Sequence, residues 1–374
     1  MKRICGADSG GVSAGNSVQH RVLKKKQGRE ETHMEYNEVI KSARGCIGPY
    51  CKACTVCNGA ACKNTMPGPG AKGIGDLAMR NYQKWQEIRI NMDTICEQKA
   101  LNTEIDLFGK KFAYPFFAGP VGAVKLHYGE KYTDQEYNEI LLKGCADNRI
   151  AAFTGDGTDY NVMIEATGAI EKLNGQGIPT VKPWDLETIK EKMELVRKSG
   201  AFAVAMDIDA AGLPFLQNLT PPAGSKSVDE LKEIVKMAEI PFILKGIMTP
   251  KGALKAAEAG AQGIVVSNHG GRVLDQCPST AEVLPSVVKA VRESGSQMKI
   301  FVDGGIRTGV DVFKALALGA DAVLIARPFV TAVYGGQEEG ITAYVNKIGA
   351  ELKDTMRMCG AFSLDEINSE MIWN

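Results

Sequence analysis

The 374-residue chain has only four histidines and three tryptophans, and its 44 Lys and Arg are balanced by 44 Asp and Glu. A formal charge of zero gives nucleic acid or an anionic membrane no field to follow, so a charged ligand must be met by a local site. Long apolar runs are also missing. The longest charge-free apolar stretch, Phe112 to Val124, holds 13 residues and two prolines, against about 20 for a membrane span. The opening MKRICGADSGG lacks the apolar run of roughly 7 to 15 residues that a secretory signal needs. These absences predict a cytoplasmic protein whose partner is a small molecule, with no nucleic acid and no membrane. At 44% hydrophobic residues and 41 glycines, the rest of the composition is that of an ordinary globular chain.

Thiols stay reduced in the cytoplasm, so the scattered Cys5, Cys96, Cys145, Cys277 and Cys359 read as free thiols. The other five cysteines fall together in CIGPYCKACTVCNGAAC, beginning at Cys46. Cys51, Cys54, Cys57 and Cys62 carry spacings compatible with zinc or an iron–sulfur cluster but fit no standard signature. Redox-active thiols and plain loop packing are the alternatives, and no metal is assigned.

Residues 1–33 lack apolar periodicity and contain the basic run RVLKKKQGREE, which predicts a disordered extension. A helical and Cys-rich segment over 34–109 follows, and from 110 to 374 two textures alternate. Short apolar runs recur eight times, as YPFFAGP, AAFTGDG, IPTVKP, AFAVAMDID, PFILKGI, GIVVSNHGG, KIFVDGGI and AVLIARP. Helix-spaced segments such as LETIKEKMELVRKSG and TGVDVFKALALGA separate them. Eight βα units over about 250 residues predict an α/β fold, the closed (β/α)8 TIM barrel. An open doubly wound sheet would want a G-x-G-x-x-G after its first strand, and YPFFAGPVGAV has none.

Chemistry in such a barrel sits at the C-terminal strand ends. The polar residues there are Thr154 and Asp156 on strand two, Lys182 on three, Asp207 and Asp209 on four, and Lys245 on five. Strand six offers Ser267, Asn268, His269 and Arg272; seven offers Asp303 and Arg307; eight offers Arg327. His269, in SNHGGR, is a better acid–base candidate than His127, which lies at a helix entry. Lys245 ends an otherwise apolar strand and must find an anion there. DGGIRTG places Gly304 and Gly305 where backbone N–H groups can meet a phosphate, with Arg307 behind and Arg327 on the next strand.

From about Phe112 to Ile367 these motifs resemble the FMN-dependent 2-hydroxy acid oxidase and dehydrogenase family, which includes glycolate oxidase, lactate oxidase and flavocytochrome b2. VVSNHGGRVLDQCPST and IFVDGGIRTGVDVFKALALGADAVLIARPF carry the likeness. The resemblance implies an FMN oxidoreductase that converts a 2-hydroxy acid or a related α-hydroxy compound to the keto product, and a tetramer or octamer. It implies phosphate contacts from Gly304, Gly305, Arg307, Ala326 and Arg327, with Asp303 on the ribityl chain. Pro120, Val121 and Gly122 would lie under the ring, and Thr154, Gly155, Lys182 and Ser267 would also face the cofactor. Lys245 would stand by the flavin N1 edge, His269 would take the substrate hydroxyl proton, Asp207 would pair with the imidazolium, and Arg272 would hold the carboxylate.

Departures from the family pattern bear on the substrate. A second carboxylate-binding Arg is replaced by Pro214, a strand-three Tyr by Thr180, Val181 or Lys182, and Tyr50 is the one candidate for an N-terminal Tyr. The lost anchors admit a second reading, a flavin-dependent isomerase of the isopentenyl diphosphate type, and a third, a flavin protein without turnover.

Overall fold

Eight short parallel strands, apolar and almost wholly buried, form the centre of the molecule. The computed structural model describes residues 34–65, 72–213, 216, 218–220 and 223–373; the extension expected over 1–33 and the departure at Pro214 lie outside them. The strands are β1 (Phe116–Ala118), β2 (Phe153–Thr154), β3 (Ile178–Val181), β4 (Val204–Asp207), β5 (Phe242–Ile247), β6 (Gly263–Val266), β7 (Lys299–Val302) and β8 (Ala322–Ile325). They pair in sequence from β2 to β8, and β8 pairs in parallel with β1. A parallel bridge between Ala118 and Ala152 completes the ring. The eight expected strands are all present, so the TIM barrel stands.

Inside the ring Phe301 meets Phe117 and Phe153 at centroid distances of 6.4 and 6.1 Å. Such a filled interior makes the barrel a packed core and leaves its mouth for chemistry. The outer helices start where the sequence signals them. Thr133, Ser227, Ser279 and Thr308 each accept a hydrogen bond from the backbone three residues on, and an acidic side chain at that position reaches back.

The segment before the barrel packs against it. Helix α1 (Tyr36–Arg44) crosses the long C-terminal helix (Arg327–Met358) so closely that a Cβ on Gly335 would sit 2.1 Å from the Val39 carbonyl oxygen. Helix α2 (Asp76–Glu87) lies beneath the loop after β7: Trp85 Nε1 donates to the Gly304 carbonyl at 2.8 Å. A Cβ on Gly305 would lie 2.1 Å from the Asn81 oxygen, and both Gly304 and Gly305 have φ near +85°. That loop can approach α2 and turn back toward the mouth only as glycine. Arg89–Ile90 then pairs antiparallel with Ile372–Trp373.

Candidate active site

The strand ends and following loops enclose a cavity of about 430 Å³. Pro120, Val121 and Gly122 form one wall, Gly155 and Lys182 the next, and Asp207, Lys245, His269 and Arg272 the far side. Asp303, Gly304, Gly305, Arg307, Ala326 and Arg327 close the circle. Of the residues expected at the site, Thr154 and Ser267 stand behind the wall, both fully buried. Ser267 Oγ accepts from the His269 N–H at 3.1 Å.

One expected pairing is corrected. His269 Nδ1 lies 3.1 Å from Asp209 Oδ1, where Asp207 had been expected. Asp207 is the last residue of β4 and is in register with Lys245 on β5, so its Oδ1 takes the Lys245 ammonium at 2.9 Å, with Lys182 at 3.7 Å from Oδ2. The chain then turns through the 3-10 segment Ile208–Gly212, which carries Asp209 across to the imidazole. One ligand atom from each of Asp207, Asp209 and His269 lies within 4.8 Å of the others, so the two carboxylates share the imidazole's surroundings. His269 itself has φ +55°, followed by Gly270 and Gly271 at positive φ, a compact turn that points the ring into the mouth.

Charges here are set by opposition between burial and neighbours. Burial alone would raise the Asp207 carboxyl, but Lys245, His269 and Lys182 outweigh it and hold it well below the usual carboxylate range. Burial works against the Lys245 charge, and Asp207, Asp209 and Asp303 outweigh it, so that ammonium is held charged. Asp303 goes the other way: burial raises its carboxyl even with Lys245 Nζ 3.9 Å away. Burial also lowers Arg272, whose Nη2 lies 3.3 Å from His127 Nε2.

His127, the lesser sequence candidate, thus belongs to the site, on the short helix Val124–Tyr128 beside Tyr128, which also lines the cavity. Its distance from SNHGGR in sequence concealed this. Of the strand-three alternatives, Lys182 reaches the cavity, whereas Thr180 and Val181 are buried in β3. Asp156 fixes that strand end: its carboxylate accepts from the Lys182 N–H at 3.0 Å and Trp184 Nε1 at 2.7 Å, and pairs with Lys192 Nζ at 2.7 Å. Leu213 and Leu216, on the short excursion after β4, give the cavity an apolar side. Tyr50 does not line it.

The cavity fits a flavin mononucleotide. Arg307 Nη2 and Arg327 Nη1 are buried without a hydrogen-bond partner among the described residues, beside the glycine turn at 304–305. Such orphaned guanidinium groups call for an anion of phosphate geometry. Asp303 Oδ1 is equally unpartnered, and at Gly155 a Cβ would meet the Gly122 nitrogen at 2.4 Å, so the ring wall is as thin as backbone allows.

A barrel of this kind, with an anion seat after strands seven and eight and a histidine–carboxylate pair across the mouth, defines a flavin oxidoreductase class. The chain belongs to the FMN-dependent dehydrogenase family, whose model matches residues 69–218 and 221–374, and FMN is its cofactor. It is 44% identical over 146 residues to a 2-hydroxyacid oxidase of Dictyostelium discoideum, covering 39% of this chain and 37% of that protein. A 4-hydroxymandelate oxidase of Amycolatopsis orientalis is 27% identical over 353 residues, 81% of this chain and 93% of the relative. Among solved structures, a mandelate oxidase variant with a monooxide FMN adduct superposes with a TM-score of 0.66 at 26% identity, covering 82% of this chain and 93% of that one. The match spans only about two fifths of the length of the first curated relatives. No helix among the described residues is long and apolar enough to cross a membrane.

Proposed function

We propose that the protein oxidises a 2-hydroxy acid to its 2-keto acid. The observation that carries this reading is His269, paired with Asp209 at 3.1 Å and lining one cavity with the buried guanidinium of Arg272. When bound, FMN supplies the acceptor for the hydride equivalent that leaves the substrate α-carbon. His269 takes the hydroxyl proton, with Asp209 fixing the ring and stabilising the imidazolium. Arg272 holds the carboxylate, and its burial strengthens that contact. Lys245, kept charged by Asp207, lends positive charge to the flavin edge. Lys182 supplies a second cation within reach of the carboxylate, and Leu213 and Leu216 favour an apolar substituent on the acid. The relatives are oxidases and dehydrogenases, which disfavours the isomerase reading.

The test is an anaerobic absorbance titration of the flavin-loaded protein with a panel of 2-hydroxy acids. Bleaching of the visible band supports the reading, and a panel without effect on fully loaded protein removes it. His269→Gln should retain the flavin and slow bleaching by about 10² to 10⁴. A homo-oligomer is part of the same proposal, supported by an apolar patch: Met92 and Ile95 are 69% and 95% exposed, near Trp373 at 70%. A cytoplasmic location is supported by the many unpaired thiols.

A further inference from the structure

The Cys-rich loop, which the oxidation reading leaves unused, folds onto the anion seat. Arg307 Nε donates to the Cys57 carbonyl at 2.7 Å, and Arg44 Nε donates to the Ala53 carbonyl at 3.0 Å, so the loop is pinned at two points. The first contact sets the Cys57 thiol within the field of Arg307 and of Arg327. Those two cations, each with an orphaned nitrogen, are the ones assigned above to the FMN phosphate. Cys51 and Cys54 both feel the charges of Cys57 and Cys62, which places the four thiols in one neighbourhood. Among the described residues no three of their sulfurs lie within 4.8 Å of one another.

We propose that Cys57 is a peroxide-reactive thiol that shares Arg307 and Arg327 with the flavin phosphate, so that oxidation of the loop and occupancy of the flavin site oppose each other. The proposal rests on the reading of those arginines as the phosphate seat. Burial alone would raise the Cys57 thiol, but Arg307 and Arg327 outweigh it and lower its pKa, while burial pushes Cys51 up to about 11. Cys57 is therefore ionised in preference to Cys51 and Cys54, and ionisation governs attack on peroxide. As a residue Cys57 is half-buried, not sealed in the core. The Cys57 thiolate attacks the O–O bond of hydrogen peroxide, which breaks to give a sulfenic acid and hydroxide, released as water. A second loop thiol then attacks that sulfur, an S–S bond forms, and the hydroxyl leaves as a second water. Two thiols are oxidised and one peroxide is reduced to two waters. A phosphate on the same arginines neutralises the charge that favours the thiolate, and by linkage a bridged loop holds the flavin less well.

The experiment treats reduced holoenzyme and the same protein stripped of FMN with stoichiometric hydrogen peroxide, counts free thiols and maps bridges by peptide mass spectrometry. The stripped protein should lose two loop thiols to a bridge that includes Cys57, and reloading with FMN should slow that loss by about tenfold or more. The oxidised protein should bind FMN more weakly until dithiothreitol is added, and Cys57→Ser should abolish both effects while still binding FMN. Equal rates with and without FMN, a bridge that omits Cys57, or stoichiometric zinc or iron bound at these cysteines in the purified protein would overturn the proposal. The phosphate reading is checked separately through Arg327→Met: unchanged FMN affinity there would remove the seat itself, whatever the thiols do.

Discussion

Two carboxylates compete for the neighbourhood of His269, and only Asp209, 3.1 Å from its Nδ1, pairs with the ring. Asp207 and Asp209 stand two positions apart at one strand end, and the period-two rule sends both toward the mouth. Nothing in AFAVAMDID separates them. The choice comes from Lys245, in register with Asp207 across the β4–β5 ladder, which takes that carboxylate and leaves Asp209 to the imidazole. Asp209→Asn should therefore lower kcat by about 10² or more by loosening the ring and its proton affinity. Asp207→Asn should instead disturb the flavin, because it leaves the Lys245 ammonium without its nearest anion; redox potentiometry of the bound flavin distinguishes the two. If Asp207→Asn alone impairs substrate deprotonation, the assignment reverses. His127 is ranked second by sequence for a different reason, since its partner Arg272 is 145 positions away and no local pattern records that meeting.

Elements were far more legible than contacts. Short apolar runs bounded by Gly or polar residues located every barrel strand, because a strand buried on both faces must be apolar throughout. Helix-spaced segments between those runs held the outer helices, whose Ser and Thr caps the structure supplies. The Cys-rich segment had no periodicity to read, and its place over the anion seat depends on Arg307, 250 positions from Cys57. Two inter-element ties make predictions at this scale. Lys192 on the helix Leu186–Ser199 pairs with Asp156 after β2, and both side chains are buried. Breaking such a pair leaves one buried charge, so Lys192→Met should cost about 3 to 5 kcal/mol in denaturant unfolding; a loss under about 1 kcal/mol would show that the site rearranges. Arg80 on α2 meets Glu282 on the helix Thr280–Glu293, and its hydrogen bond brings the Glu282 carboxyl down to about 2. A lowered carboxyl stabilises the fold above its unfolded value and loses that contribution as pH falls through its folded one. Wild type should thus melt above Glu282→Gln at pH 6, and the gap should close between about pH 4.5 and pH 2. A gap that persists at pH 2 would contradict this ion pair.

At the scale of the whole molecule, the exposed apolar residues Met92, Ile95 and Trp373 lie on the segment that joins the two ends of the described fold. The Asp93 N–H donates to the Met358 carbonyl at 3.0 Å, which brings the end of the C-terminal helix into the same patch, with Met358 itself 40% exposed. Ile95→Glu should shift sedimentation from an assembly toward the monomer and leave flavin loading intact; an unchanged sedimentation coefficient would place the interface elsewhere. The pairing of Arg89–Ile90 with Ile372–Trp373, and of β1 with β8, also fixes an order of events during synthesis. Both early strands must wait for partners more than 200 residues downstream. A ribosome making this chain therefore carries an open, apolar sheet edge until translation has all but finished, a template on which two nascent copies could pair before either one closes.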